Sequence, residues 1–127
     1  MSATVLKQAR LSLVIPGRPV PLQRSRTQGG RHYLPARSKT YRLLVQAEWM
    51  VAGRPSLGDA QFALSARFYG ARTGSDLDNL IKGVLDSLNG LAFADDSQCA
   101  CFSGCHKLPA DAKGARAEVD LWAVGTA

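Results

Sequence analysis

The sequence lacks several features that would mark whole classes of protein. It has no apolar run near the roughly 20 residues that a membrane-spanning helix needs. Lys7 and Arg10 interrupt the N-terminal stretch before the apolar core of a signal peptide forms. Its three cysteines, an odd number within one short window, are typical of a reducing compartment rather than of a disulfide framework. These absences predict a cytoplasmic protein that does not act at a membrane.

Acidic residues are scarce in the first half of the chain. Residues 1–55 carry ten Lys or Arg and a single acid, Glu48, whereas residues 56–127 carry six Lys or Arg and nine acids, so the net charges are +9 and −3. A basic half favours a polyanionic partner through phosphate contacts and counterion release, but a merely solvated basic surface has the same composition. The length predicts one domain over residues 1–127.

Hydrophobic periodicity predicts an α/β fold (α+β mixed), with a small mixed sheet of about four strands and two main helices in the order β-α-β-α-β-β. Strands are predicted over 10–15, 61–69, 97–106 and 115–124, and helices over about 39–53 and 77–89. Ser38 is the predicted cap of the first helix, and Gly90 the predicted end of the second. The first strand–helix–strand unit predicts parallel pairing of strands 10–15 and 61–69. The short turn between strands 97–106 and 115–124 predicts that these two strands form an antiparallel hairpin.

A long loop is predicted over about 16–37, where four prolines and three glycines stand among arginines. A loop of this length in a small domain is usually functional. It is a candidate phosphate-contacting arm, and the alternative is a solvated loop. The candidate DNA-binding residues are Arg18, Arg24, Arg26 and Arg31, together with Lys39 and Arg42, whose charges oppose the dipole at the start of the next helix.

Four carboxylates flank the second predicted helix: Asp76 and Asp78 at its start, and Asp95 and Asp96 beyond its end. One carboxylate at a helix start is explained by capping. Four carboxylates gathered together would repel one another unless a cation lies among them. Mg²⁺ takes oxygen ligands from one or two carboxylates and completes its shell with water and substrate phosphate, and such a site activates water for attack on a phosphodiester. Capping and metal binding both remain open.

Lys82 lies one helical turn after Asp78 on the same face of the predicted helix. One interpretation is an ion pair at spacing i,i+4, which stabilises a helix by a few tenths of a kcal/mol. The other is an ammonium group that stabilises the transition state of phosphoryl chemistry.

The cysteines Cys99, Cys101 and Cys105, followed by His106, invite a zinc interpretation. All four residues fall in one predicted strand and lack the usual paired spacing of zinc ligands. Strand alternation instead predicts that the three cysteines pack into the core on one face.

Residues 76–98 combine the pattern D-L-D-N-x-x-K, an amphipathic helix and the pattern D-D-x-Q. This combination resembles the signature of the RusA family of Holliday-junction resolvases, which are small homodimeric, Mg²⁺-dependent endonucleases of bacteria and prophages. The opening strand that ends in Pro-Gly-Arg-Pro-Val-Pro, the basic loop and the following helix resemble the family in outline. The resemblance therefore covers nearly the whole chain.

The resemblance implies a RusA-like endonuclease that binds a four-way DNA junction as a homodimer and resolves it by paired symmetric nicks. It implies catalytic roles for Asp76, Asp78, Lys82 and Asp96. Mg²⁺, with Mn²⁺ as a substitute, would be held by Asp76, Asp78 and Asp96, with Asp95 as a further ligand or a structural partner. No small-molecule cofactor is expected. The implied location is the bacterial cytoplasm, with the nucleoid, for a bacterial or prophage-encoded protein.

Two other functions compete with this interpretation. Haloacid-dehalogenase-type phosphatases also carry Asp-x-Asp after a strand, but Asp76 lies several residues past the predicted strand and the chain is too short for that fold. The second alternative is a basic DNA- or RNA-binding module, or a degenerate resolvase, whose acids are only caps and loop residues. It predicts binding without metal dependence and indifference to Asp78→Asn.

Overall fold

The computed structural model describes residues 10–22, 26–33 and 35–124, which form a mixed α+β fold. The helices are α1 (Ala36–Val51) and α2 (Leu77–Leu88). The strands are β1 (Arg10–Pro16), β2 (Arg26–Gln28), β3 (Arg31–Tyr33), β4 (Phe62–Tyr69), β5 (Cys99–Phe102), β6 (His106–Leu108) and β7 (Arg116–Ala123). The prediction of a mixed sheet with two main helices is confirmed.

The main sheet has five strands in the order β1-β7-β4-β5, with β6 pairing further along the same edge of β4 as β5. Strand β7 is antiparallel to both β1 and β4, whereas β5 and β6 are parallel to β4. The predicted pairing of 10–15 with 61–69 is wrong because β7 lies between these strands. The predicted hairpin of 97–106 with 115–124 is wrong because β4 separates β7 from β5 and β6.

The central position of β4 and β7 follows from their length and alternation. Each has eight residues, and they pair along their whole length, from Phe62 opposite Ala123 to Tyr69 opposite Arg116. Apolar side chains face one another across this pair, as in Leu64 with Leu121. No other strand can therefore occupy this edge of β4, which leaves its second edge to β5 and β6.

One face of the sheet and the two helices enclose the core. The apolar stripe of α2 and two residues of α1, Tyr41 and Val45, pack against it. The rings of Phe62 and Phe93 lie 4.7 Å apart between centroids, close to the end of α2. The strand residues that belong to this core are Leu11, Leu13, Ile15, Phe62, Leu64, Ala66, Phe68, Ala117, Val119 and Leu121.

The bounds of the helices differ slightly from the prediction. Helix α1 begins at Ala36 rather than after Ser38, because the carbonyl of Pro35 already accepts the N–H of Lys39 at 3.0 Å. Ser38 is therefore a buried residue of the first turn and not the cap. Gly90 follows the end of α2 with φ +80, as predicted for this position. Neither described helix is long and apolar enough to cross a membrane.

The predicted loop 16–37 contains a short hairpin of β2 and β3. Its turn is Gly29-Gly30, and both glycines have positive φ, +58 and +78. Two-residue hairpin turns favour glycine at such positions because side chains are strained there. The Gly-Gly pair was therefore the sequence signal for a hairpin that the prediction of a loop missed. Backbone pairing between β2 and β3 orders residues 26–33.

The three cysteines do not share a core face as predicted. Cys99 and Cys105 are half-buried against the core, whereas Cys101 is exposed. The pairing of β5 with β4 shifts register after Phe62, so that Cys99 lies opposite Phe62 and Cys101 opposite Ala63. Such an irregularity breaks strand alternation, which is why the prediction failed. Burial raises the pKa of the thiols of Cys99 and Cys105.

Candidate active site

The N-terminus of α2 carries three of the predicted catalytic residues. Asp76 is the cap, and its Oδ1 accepts the backbone N–H of Asp78 at 3.0 Å. In the next turn, Oδ2 of Asp78 lies 3.1 Å from Nζ of Lys82, and both side chains are more than half exposed. Both the helix cap and the i,i+4 ion pair are therefore present in the structure. It also leaves the carboxylates of Asp76 and Asp78 accessible at the surface.

Burial of the opposite face fixes the direction in which these side chains point. The stripe on α2 is Leu80, Ile81, Val84, Leu85 and Leu88, all buried, with Leu77 half-buried. Fully burying five such side chains contributes roughly 10 kcal/mol before the entropy cost is subtracted. Rotation of α2 about its axis would expose this stripe, so the acidic face is held toward solvent.

The base of the basic loop is joined directly to α2. The N–H of Leu22 donates to the carbonyl of Asn79 at 2.8 Å. A Cβ placed on Gly83 would lie 3.2 Å from the nitrogen of Leu22 and 3.3 Å from the oxygen of Val20. A side chain at this position would therefore require the loop backbone to move away by a few tenths of an ångström. The start of the basic loop is therefore anchored one turn from the acidic residues.

An open concavity of about 350 Å³ lies beside Asp76. Asp76 and Asn79 line it together with the exposed side chains of Arg37 and Arg72, and its remaining lining residues are Pro21, Leu22, Gly74 and Ser75. Sequence analysis did not single out these arginines. Arg37 lies in the first turn of α1 and Arg72 in the turn before α2, so only the fold brings them together.

The predicted DNA-binding residues fall into four groups. Arg18 and Lys39 are exposed, whereas Arg42 forms an ion pair with Asp86 of α2 and so links the two helices. The backbone of Arg26 and of Arg31 belongs to the β2–β3 hairpin. Arg24 lies outside the described residues.

Asp95 and Asp96 have different environments. Asp95 caps a short 3-10 turn, Asp96–Gln98: its Oδ2 accepts the N–H of Ser97, and its own N–H donates to Oε1 of Gln98. Hydrogen bonds from Ser97 hold the pKa of Asp95 below its usual value. The exposed carboxylate of Asp96 makes no hydrogen bond or ion pair within the described residues. Asp95 is therefore engaged structurally, and Asp96 is available to bind a ligand.

Gln98 ties this turn to the segment that precedes β4. Its Nε2 donates to the carbonyls of Gly58 and Ala60, each at 2.8 Å. The N–H of Leu57 also donates to the carbonyl of Ala92, at 2.8 Å. Asp96 thus lies at the end of the domain where β4 begins and α2 has already ended.

The two acidic groups lie at opposite ends of the domain. Asp76 comes after the end of β4 and caps the start of α2. Asp96 comes after the end of α2 in the sequence, and in space it lies near the segment that leads into β4. A helix of twelve residues is about 18 Å long, and eight strand residues span about 25 Å. Asp96 is thus roughly 20 Å from Asp76 in one chain. The fold brings Asp76, Asp78 and Lys82 together and leaves Asp96 apart.

The carboxylates at the start of α2 fit a divalent metal in their chemistry but not in their number. The oxygen donors of Asp76 and Asp78 suit Mg²⁺, which uses one or two carboxylates together with water and phosphate. Across the part of the chain that the structure describes, no three His, Cys, Asp or Glu side chains are grouped to hold a metal ion. The donor chemistry at the start of α2 therefore fits, but one chain does not assemble the three-carboxylate set predicted from the sequence.

The sequence matches the family model described as Endodeoxyribonuclease RusA over residues 16–121. This range includes α1, α2, both acidic pairs and most of the sheet, and thus defines the chain as an endodeoxyribonuclease. The chain belongs to the RusA family, whose activity is the resolution of Holliday junctions in DNA recombination. Nucleases of this family bind branched DNA and are generally dependent on a divalent metal. No curated protein matched the sequence.

Proposed function

We propose that this protein is a Mg²⁺-dependent, structure-selective endonuclease that resolves four-way DNA junctions by paired symmetric nicks. The observation that carries the proposal is the exposed acidic start of α2 beside a concavity lined by Arg37 and Arg72. Carboxylates that suit Mg²⁺ and guanidinium groups that suit phosphate oxygens are thereby placed side by side. This combination is what hydrolysis of a phosphodiester requires.

The roles of the residues follow from their positions. Asp76 and Asp78 would hold Mg²⁺, for which Mn²⁺ can substitute, and the ion would supply a more acidic water and a Lewis acid for the leaving oxygen. Lys82 lies 3.1 Å from Asp78, so its ammonium group is beside the proposed metal ligands and would stabilise charge on the phosphate. Arg37 and Arg72 would orient the DNA backbone by bidentate contacts.

The separation of Asp96 from Asp76 supports a site shared between two subunits. A four-way junction has two-fold symmetry, and a C2 homodimer presents each end of one chain to the opposite end of the other. We propose that Asp96 of the partner subunit completes the carboxylate set at Asp76 and Asp78. Two such sites in one dimer would give one nick each.

One structural observation favours the alternative of a protein that binds junctions without cutting them. Asp76 and Asp95 both serve as caps, and Asp78 has an ion-pair partner, so three of the four acids have structural roles. The position of Asp96 does not fit this alternative, because its exposed carboxylate has no such role in the described part of the chain.

Cleavage of a synthetic four-way junction tests the proposal directly. The wild-type protein should introduce symmetric nicks in the junction with Mg²⁺ or Mn²⁺, none with EDTA, and few in a linear duplex of the same sequence. Tight binding of the junction without nicks in either metal would favour the non-catalytic alternative. Nicks at equal rates in both substrates would contradict selectivity for the branched structure.

Removal of Arg37 and Arg72 should weaken DNA binding through the loss of phosphate contacts. The double variant Arg37→Gln/Arg72→Gln should lower the slope of log affinity against log salt concentration by about 1 for each arginine. Affinity should fall for junctions of any sequence. The measurement is a salt titration of junction binding in EDTA, which prevents cleavage.

Arg54→Gln provides the matched control for this double variant, because Arg54 is exposed beyond the opposite end of α1 from Arg37. We expect it to retain the wild-type salt slope. If the double variant also kept that slope, the concavity would not be a phosphate-binding surface.

A further inference from the structure

Lys107 on β6 makes contacts that its exposure would not suggest. Its backbone pairs with Phe68 in β4, close to the end of that strand. Its Nζ donates to the carbonyl of Thr73 at 3.2 Å and also to the carbonyl of Ser75. One ammonium group thus holds two backbone carbonyls of the turn that connects β4 with Asp76.

This turn has few other hydrogen bonds to hold it. Within it, the N–H of Ser75 donates to the carbonyl of Arg72 at 2.9 Å. Gly74 has no heavy atom near its missing Cβ, so packing does not confine it. Lys107 is the side chain that donates hydrogen bonds to this turn within the described residues, and a charged donor binds a carbonyl more strongly than a neutral one.

The tethered turn connects two residues of the candidate site. Arg72 begins it and lines the concavity, and Asp76 follows it and caps α2. A shift of the turn would move both side chains relative to each other. The bond from Leu22 to Asn79 also anchors the first turn of α2, but it is not made to the turn of residues 72–75.

We propose that Lys107 is a positioning residue, which fixes Arg72 and Asp76 by binding the backbone between them and does not contact the substrate. The effect on cleavage rests on the proposed function, whereas the effect on the turn does not. The outer partners of metal ligands are typically worth 10- to 100-fold in activity or metal affinity, which sets the size of effect to expect.

Two measurements on Lys107→Met, Lys107→Arg and Lys113→Met test this role. Lys113 lies in the neighbouring turn, is exposed, and its side chain has no bond to the 72–75 turn in the described structure, so Lys113→Met controls for the loss of one charge. Hydrogen–deuterium exchange of the free protein reports on the amides of residues 72–78. Junction cleavage at varied DNA and Mg²⁺ concentrations reports kcat, KM and the Mg²⁺ requirement.

Lys107→Met should speed exchange in residues 72–78, lower kcat by about 10- to 100-fold and raise the Mg²⁺ requirement, with little change in KM for DNA. Lys107→Arg should restore most of the rate, because it keeps a cationic donor. Unchanged exchange in Lys107→Met would overturn the proposal. The proposal would also be overturned if Lys107→Met and Lys113→Met lost the same DNA affinity and kept the wild-type kcat, because Lys107 would then act as a phosphate contact. Faster exchange in a protein whose wild type does not cut would support the tether and reject the nuclease function.

Discussion

Asp78→Asn should abolish cleavage of a four-way junction and leave junction binding intact. The substitution keeps the shape of the side chain and removes the negative charge that would hold Mg²⁺. Even outer partners of metal ligands are worth 10- to 100-fold, so loss of a ligand should lower kcat more than about 100-fold. Asp78 is exposed and its pair with Lys82 is worth only about 0.3–0.5 kcal/mol, so the fold should survive. Single-turnover cleavage and gel-shift binding in Ca²⁺ or EDTA measure the two effects.

Asp86→Asn is the matched control for this variant. Asp86 lies on the same helix two turns later, and like Asp78 it has a basic partner, here Arg42. We expect Asp86→Asn to keep cleavage within a few-fold of wild type. Equal activity of Asp78→Asn and wild type would identify the acid as a helix residue only and would favour the binding-module interpretation.

Two inactive variants should regain activity when they share one dimer. If Asp96 of the partner subunit completes the site at Asp76 and Asp78, a dimer of one Asp78→Asn subunit and one Asp96→Asn subunit contains both lesions in one site and none in the other. Random mixing of equal amounts gives about half heterodimers, so about a quarter of the sites should be intact. Each heterodimer should nick only one strand of the junction. Co-expression with two affinity tags isolates the heterodimer for this assay.

The control for complementation is the heterodimer of Asp78→Asn with Asp76→Asn. Both lesions lie at the same end of the chain, so each of its two sites carries one, and it should remain inactive. If the Asp78→Asn/Asp96→Asn heterodimer is inactive as well, the site is not shared between subunits. An active Asp96→Asn homodimer would remove Asp96 from the site.

The two helices and the long strands could be predicted because each is encoded locally. The predicted strand 97–106 is wrong as one element, because a 3-10 turn occupies Asp96–Gln98, one strand ends at Phe102 and the next begins only at His106. The stripe from Leu77 to Leu88 has the helical period, and alternation from Phe62 to Phe68 has the strand period, so both elements were found within a residue or two. The sheet order was not predictable in the same way. Strands β1 and β7 lie far apart in the sequence, and the hydrophobic alternation of each strand does not indicate which other strand it pairs with.

Some residues of the candidate site could likewise be predicted from local spacing, and others could not. Asp76 and Lys82 each lie within about one helical turn of Asp78, so their proximity to it follows from sequence spacing alone. Arg37, Arg72 and Lys107 come from three separate segments, and only the packed fold shows that they surround the start of α2. The distance from Asp76 to Asp96 likewise depends on the length of α2 and the direction of β4, which motif spacing does not reveal.

The contact at Gly83 has a consequence for how such a protein can change over evolutionary time. Position 83 and the backbone of residues 20–22 constrain each other, because any side chain larger than hydrogen would push the base of the basic loop away from the helix. A side chain at position 83 is therefore tolerated only if the backbone of residues 20–22 shifts with it, so the base of the loop and the acidic helix can change only together.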